Sequence, residues 1–283
     1  MSDERQKDKQ YQRQKLATEA VDVNRAAARL AASVREAGAL ALSMFGAPIK
    51  NWIKNETSPV SDADIAVDRL LREALTQEDA AIAWLSEESV DDPARLTARY
   101  VWIVDPIDGT RAYLAGTADW TVCAALVDSG RPVAACVYAP VSDEFFMAIA
   151  AQGATCNGKP IAITDGATLE HARVAGPRML VERLLALQPS LTVLPRVRSL
   201  ALRLVRLAHG FCDVAIAGGN SHDWDLAAAD LLVHEAGGVL TPVGGGAVIY
   251  NRPVPRHGTL VAAGRHRHAM LIELFRDKRL ASS

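Results

Sequence analysis

Two carboxylates three residues apart, Asp105 and Asp108, follow the apolar run Val101, Trp102, Ile103, Val104 in the stretch YVWIVDPIDGT. The run is β-branched and aromatic, which reads as a buried strand. Acidic side chains at the end of a core strand are costly unless something neutralises them. Pro106 fixes its own φ and biases Asp105 toward an extended conformation. Gly109 permits close backbone approach, so the amides after the turn are able to face an anion. Oxygen donors, a rigid turn and free amides together suit Mg²⁺ and a phosphate group. The competing account is an ordinary surface turn, in which Asp, Pro and Gly are common.

Two further stretches weigh against the plain turn. Ala83 to Val90 (AWLSEESV) is a second short apolar run ending in paired carboxylates, Glu87 and Glu88. In SHDWDLAAADLLVHEAGG, from Ser221 to Gly238, Asp223 and Asp225 flank Trp224 ahead of an Ala/Leu-rich helical pattern. With SEES, DPIDGT and DWDLAAAD…EAGG in this order, the chain resembles the inositol monophosphatase superfamily of Mg²⁺-dependent, lithium-sensitive phosphomonoesterases, from about Ala28 to the C-terminus.

The resemblance implies a layered αβαβα sandwich with the site between its halves, and two or three Mg²⁺ ions. It assigns Glu87, Asp105 and the Ile107 carbonyl to a first metal, with Asp105 bridging to a second completed by Asp108 and Asp225. Glu87 and the Thr110 hydroxyl would position the attacking water. The Gly109 and Thr110 amides would bind phosphate, with Arg111 and Asp225 also on the substrate side. The stretch SPVSDAD is similar to a family SPVTxAD segment whose Asp sits close to the metals, which makes Asp64 a catalytic candidate. Spacing alone reads Ser61 and Asp64 as a capping box, and the two roles are compatible.

Strand alternation turns Glu88 away from the site, Asp223 reads as a helix cap rather than a ligand, and Asp230 as a structural partner. The seven histidines show no convergent spacing, and no Ser/His/Asp or Cys/His set competes. Two departures bear on the substrate. After DPIDGT stands Arg111, where inositol-specific relatives carry Thr, bisphosphate nucleotidases Lys and histidinol phosphatases Arg; a cation there could serve a second phosphate. The acidic residue that holds sugar hydroxyls in inositol phosphatases has no counterpart in Ala215 to Asn220. A 3′(2′),5′-bisphosphate nucleotide, such as adenosine 3′,5′-bisphosphate, is therefore the first expectation. Inositol 1-monophosphate and then histidinol phosphate follow. A family-fold binding protein for RNA or transcription machinery is the non-enzyme alternative, and the intact acidic set argues against it.

These residues need scaffolding elements. Residues 1–19 are polar, a frayed extension or the charged first turns of a helix. Ala20 to Phe45 reads as a helix stopped by Gly46 and Pro48. Lys54 to Asp64 is turn-rich, and the segment from Ile65 carries a helical stripe. Asp91 to Ala98 reads as a loop before the central strand. Strands are expected at 121–127 and 133–138, joined by DSGRP, and at 145–150, with a turn at 153–160. The later half alternates: strand 173–175, helix 179–187, helix 199–208, strand 212–217, helix 225–236, strands 239–242 and 259–263, helix 266–280. The fold class is α+β passing into α/β, with an N-terminal half over 20–160 that carries most motifs and a C-terminal half over 161–283.

With 31 basic and 33 acidic residues among 283, the chain lacks the electrostatic footprint of a general nucleic-acid binder. Its four cysteines are scattered without CxxC or zinc spacing and read as buried thiols. No apolar run reaches the ~20 residues of a membrane span. The charged N-terminus lacks the apolar core of a signal peptide. A soluble cytoplasmic protein acting on a small phosphorylated substrate is expected, and a homodimer by family habit.

Overall fold

The computed structural model describes residues 20–54, 58–77 and 81–276; the expected N-terminal extension lies outside them. Helix α1 (Val23–Met44) is started by Asp22, whose carboxylate accepts from the amides of Asn24 and Arg25. Helix α2 (Asp62–Thr76) follows a short antiparallel hairpin of β1 (Asn51–Lys54) and β2 (Ser58–Ser61). The sequence suggested only turns here. The hairpin escaped the pattern because β1 buries no face: Trp52 and Ile53 are both exposed, so no alternation marks it.

A seven-stranded sheet then forms from β3 (Ala83–Ser86), β4 (Tyr100–Asp108), β5 (Thr121–Asp128), β6 (Arg131–Ala139), β7 (Glu144–Ile149), β8 (Ala154–Cys156) and β9 (Lys159–Pro160), in that spatial order. Only the β3–β4 pair is parallel. The strand expected to end at Asp105 runs on through Asp108, and its register against β5 shifts between these two residues. Two other segments differ from expectation: 93–97 makes a turn of 3₁₀ helix, and the turn at 153–160 contains the β8–β9 hairpin. Helix α3 (Thr110–Leu114) leaves β4 directly after Gly109, whose φ is +97°.

The remaining described chain supplies β10 (Arg173–Ala175), α4 (Arg178–Leu187), β11 (Thr192–Val193), α5 (Leu200–Ala208), β12 (Val214–Ala217), β13 (Ser221–His222), α6 (Asp223–Glu235), β14 (Gly238–Pro242), β15 (Arg256–His257), β16 (Leu260–Gly264) and α7 (Arg265–Arg276). Five of these strands form a second sheet in the order β11-β10-β12-β16-β14.

Three apolar clusters define the layers. Residues of α1 and α2 pack on one face of the seven-stranded sheet, among them Leu30, Val67, Trp102 and Leu126. The other face shares a core with α5, α6 and the second sheet through residues such as Ile103, Val137, Leu204, Leu232 and Ala262. The far side of the second sheet is covered by α4 and α7 through Leu184, Val214 and Leu271. The result is the expected αβαβα sandwich. No helix among the described residues is long and apolar enough to cross a membrane. All four cysteines are buried and unpaired with one another.

Candidate metal-binding and phosphate-ester site

Eight of the residues singled out in the sequence line one cavity of about 320 Å³: Glu87, Asp105, Ile107, Asp108, Gly109, Thr110, Arg111 and Asp225. They come from separate elements. Glu87 lies just past β3 and its amide donates to the Val104 carbonyl of the neighbouring strand (3.3 Å). Asp105, Ile107 and Asp108 sit on the final turnings of β4, and Thr110 and Arg111 open α3. Asp225 is the third residue of α6, where a carboxylate complements the helix N-terminus.

Glu87, Asp105 and Asp225 each place a carboxylate oxygen within 4.8 Å of the other two, an arrangement able to hold a metal ion. Asp105 is 1% exposed, and neither of its carboxylate oxygens has a hydrogen-bond partner. Burial first, and then the neighbouring carboxylates Glu87, Asp108 and Asp225, push its pKa well above the usual carboxylate range. A buried acid without hydrogen-bond partners, surrounded by acids, fits a cation site: the donors are all oxygens, which suits a hard divalent ion and no zinc-type set. Asp225 is raised in the same way by burial and Asp108, although it accepts from the His222 amide (2.7 Å).

Asp108 stands apart from this trio. One oxygen accepts from the Ser199 hydroxyl and the Ala201 amide, both at 2.6 Å, which anchors it at the start of α5. Burial still lifts its pKa to about 6 against these bonds. Thr110 Oγ1 is 3.1 Å from both the Ile107 carbonyl and Asp64 Oδ1 and donates to one or the other. Asp64 sits behind Thr110, and its other oxygen accepts from the Ser61 amide (2.8 Å) and hydroxyl (2.6 Å), as a capping residue does. Burial outweighs these bonds and lifts Asp64 to about 6.

Glu88 is not among the residues that line the cavity; its side chain is nonetheless only 4% exposed and accepts from Lys54 Nζ at 2.5 Å. Burial pushes it up to about 7 even with that ammonium beside it. The residue follows the end of β3, so strand alternation no longer governs its direction. Two readings at the start of α6 are corrected: Asp223 does not cap the helix. It is the first residue of α6, and its carboxylate accepts from the Asn251 amide and contacts His257 Nε2, each at 2.7 Å. Asp225, expected to open the helix, is instead the residue that caps it through His222. Asp230 does have its structural partner, the Tyr250 hydroxyl at 2.9 Å.

Four contributors carried no sequence signal that was used. Lys54 reaches Glu88 and also Glu87 (3.3 Å) from β1, thirty-odd residues upstream. Ser199 is the N-cap of α5 as well as the partner of Asp108, and only the capping role shows in its spacing. Arg196 and Arg198 line the cavity from the segment before α5. Two cations in alternation ahead of a cap, PRVRS, was the visible sign.

Fold and cavity together define a five-layered α/β protein with an acidic, cation-accepting cleft between its sheets. The chain belongs to the inositol monophosphatase family, which residues 18–280 match; it is a family of phosphatases, Mg²⁺-dependent in general. Among curated relatives, a 3′(2′),5′-bisphosphate nucleotidase CysQ of Aggregatibacter actinomycetemcomitans is 28% identical over 218 residues, 71% of this chain and 78% of that protein. A histidinol-phosphatase of Mycobacterium tuberculosis is 33% identical over 219 residues, 70% of this chain and 82% of that one. Among solved structures, the extragenic suppressor protein suhB of Bartonella henselae superposes with a TM-score of 0.79 at 26% identity, covering 88% of this chain and 97% of that chain.

Proposed function

We propose that this protein is a Mg²⁺-dependent phosphatase of a small phosphate monoester, and that the ester is a 3′(2′),5′-bisphosphate nucleotide such as adenosine 3′,5′-bisphosphate, released as AMP and phosphate. The observation that carries the catalytic reading is Asp105: a fully buried carboxylate with both oxygens unpartnered, beside Glu87 and Asp225. Such a group persists in a folded core when a cation completes it.

Glu87, Asp105, the Ile107 carbonyl and Asp225 would hold the divalent ions, with Asp108 contributing beside them. When bound, the ions supply an acidified water and neutralise the phosphoryl oxygens and the departing oxygen. The chain's own groups do the rest. Thr110 Oγ1 would take a proton from the attacking water while passing its own to Asp64 Oδ1, 3.1 Å away. With its pKa lifted to about 6, Asp64 accepts that proton more readily than an ordinary carboxylate. The water oxygen bonds to phosphorus, the ester P–O bond breaks, and the leaving oxygen takes up a proton. Gly109 keeps the turn tight: a Cβ there would lie 2.9 Å from the Asp119 carbonyl oxygen.

Two features favour the nucleotide over inositol phosphate: Arg111 in the cavity wall and the bare Ala215–Asn220 segment. The test is phosphate release from adenosine 3′,5′-bisphosphate, inositol 1-phosphate and histidinol phosphate, with Mg²⁺ and with EDTA. The expected result is release with Mg²⁺ alone and fastest from the nucleotide. Undiminished release in EDTA would overturn the metal reading, and faster release from inositol phosphate would overturn the substrate.

A further inference from the structure

The cavity that gathers the carboxylates also gathers guanidinium groups. Arg111 reaches it from α3, and Arg196 and Arg198 reach it from the segment leading into α5. Once cations neutralise the acidic cluster, these arginines set the sign of the charge that remains in the cleft.

The segment that carries Arg196 and Arg198 is braced from several sides. The Leu194 amide donates to the Val174 carbonyl (2.9 Å). The Val197 carbonyl accepts from Arg203 (2.7 Å), a buried guanidinium that also holds the Ile216 carbonyl (2.9 Å). The Arg198 amide donates to Asp119 Oδ2 (2.7 Å), and its guanidinium to Thr117 Oγ1 (3.1 Å). The backbone is thus fixed on both sides of Arg196. Arg198 has a counter-charge in Asp119, 3.6 Å away. Arg196 is exposed to the cavity, and no hydrogen bond or ion pair to it occurs among the described residues; it lies near enough to Arg203, of like sign, to repel it. A fixed backbone presenting an unsatisfied planar fork is a pre-organised receptor for a phosphate dianion.

We propose that Arg196 determines substrate choice by receiving the second, non-reacting phosphate of the bisphosphate nucleotide, with Arg198 flanking it. This rests on the phosphatase reading and adds a site on the 194–199 segment, separate from Arg111 on α3. The leaving alcohol then carries a handle: the phosphate that is not cleaved orients the one that is. Arg203 acts through the segment as a positioning residue.

The experiment compares adenosine 3′,5′-bisphosphate with adenosine 3′-phosphate, which differ only in that second phosphate. Wild type should prefer the bisphosphate in kcat/KM by about ten- to a hundredfold, the scale of a charge-assisted contact. Arg196→Gln should erase most of that preference, chiefly through KM, and Arg196→Lys should restore part of it. Calorimetric binding of AMP, which retains the second phosphate, should weaken about tenfold in Arg196→Gln, while adenosine binding should not follow. Equal losses on both substrates, or none on either, would overturn the assignment. Wild type that hydrolyses the two equally well would also overturn it and leave the phosphatase reading standing. Wild type that hydrolyses neither, but another monoester, would overturn the nucleotide reading together with this one.

Discussion

Asp105 is the residue on which the site depends, because its burial is unfavourable in the absence of a cation. Its carboxylate is pushed well above the normal range by burial and by Glu87, Asp108 and Asp225, so the charged form destabilises the metal-free protein at neutral pH. Asp105→Asn should therefore raise the melting temperature in EDTA, abolish most of the further rise on adding Mg²⁺, and lower kcat on the order of a thousandfold, since removing one of the clustered carboxylates would cost several kcal/mol of cation-dependent stabilisation. A Mg²⁺-dependent rise that survives the substitution would contradict this. Thr110→Ala tests the proton route. Removing the hydroxyl that links water to Asp64 should lower kcat by roughly 10²–10³-fold with little change in KM, measured at saturating Mg²⁺. Asp105 and Asp108 were legible because a local motif of turn residues and carboxylates carries its own chemistry, and Thr110 only through the family resemblance. Lys54 was not: its partners Glu87 and Glu88 lie far along the chain, and a single lysine in a turn-rich stretch has no periodicity to betray it.

At the scale of elements, helix starts carry two of the four carboxylates. α6 presents Asp225 at its third residue, and α5 receives Asp108 through Ser199 and the Ala201 amide. Ser199 also caps α5 by accepting from the Leu202 amide at 2.9 Å. Ser199→Ala should cost about 1–2 kcal/mol in urea unfolding through the lost cap, and weaken Mg²⁺ binding about ten- to a hundredfold by loosening Asp108. A metal affinity equal to wild type would show that Asp108 is held well enough by the helix amides alone. The hairpin at DSGRP and the stripes of α1 and α2 followed from turn chemistry and helical period. The passage of β4 through Asp105 to Asp108 did not. A proline and two acids within four residues oppose a core strand by propensity, and the altered register against β5 accommodates them.

At the scale of the molecule, alternating helix and strand patterns made the later half readable as α/β, while the layering was implied by the family resemblance and is carried by the three apolar clusters. Long-range polar ties were invisible beforehand, since nothing local marks them. Arg95, 1% exposed, joins Asp91 to Asn251 and the Arg252 carbonyl across 156 and 157 residues of chain. Asp213 is a second tie, accepting from Arg173, Arg267 and Thr164. Burial alone would raise its pKa, but these donors together bring it down to about 2. A carboxylate with a depressed folded pKa stabilises above its unfolded value, near 4, and loses that contribution as pH falls toward 2. Asp213→Asn should therefore lower the melting temperature clearly at pH 7 and progressively less toward pH 3. A difference that stays constant over that range would assign the effect to packing instead.

The exposed hairpin of β1 and β2 gives the protein an optical reporter of its own. Trp52, 44% exposed, lies two residues before Lys54, whose ammonium rests on Glu87 and Glu88. Trp102 and Trp120 are wholly enclosed and Trp84 and Trp224 half-buried, so Trp52 is the most exposed of the five. A cation settling on Glu87 competes with Lys54 for the same carboxylate and weakens the hairpin's hold on the site. Acrylamide quenching of tryptophan emission should accordingly steepen as Mg²⁺ is added, and the added component should vanish in Trp52→Phe. A quenching curve indifferent to Mg²⁺ would mean that Glu88 alone keeps Lys54 in place. If the curve does steepen, loading of the cleft can be followed by light, without substrate and without turnover.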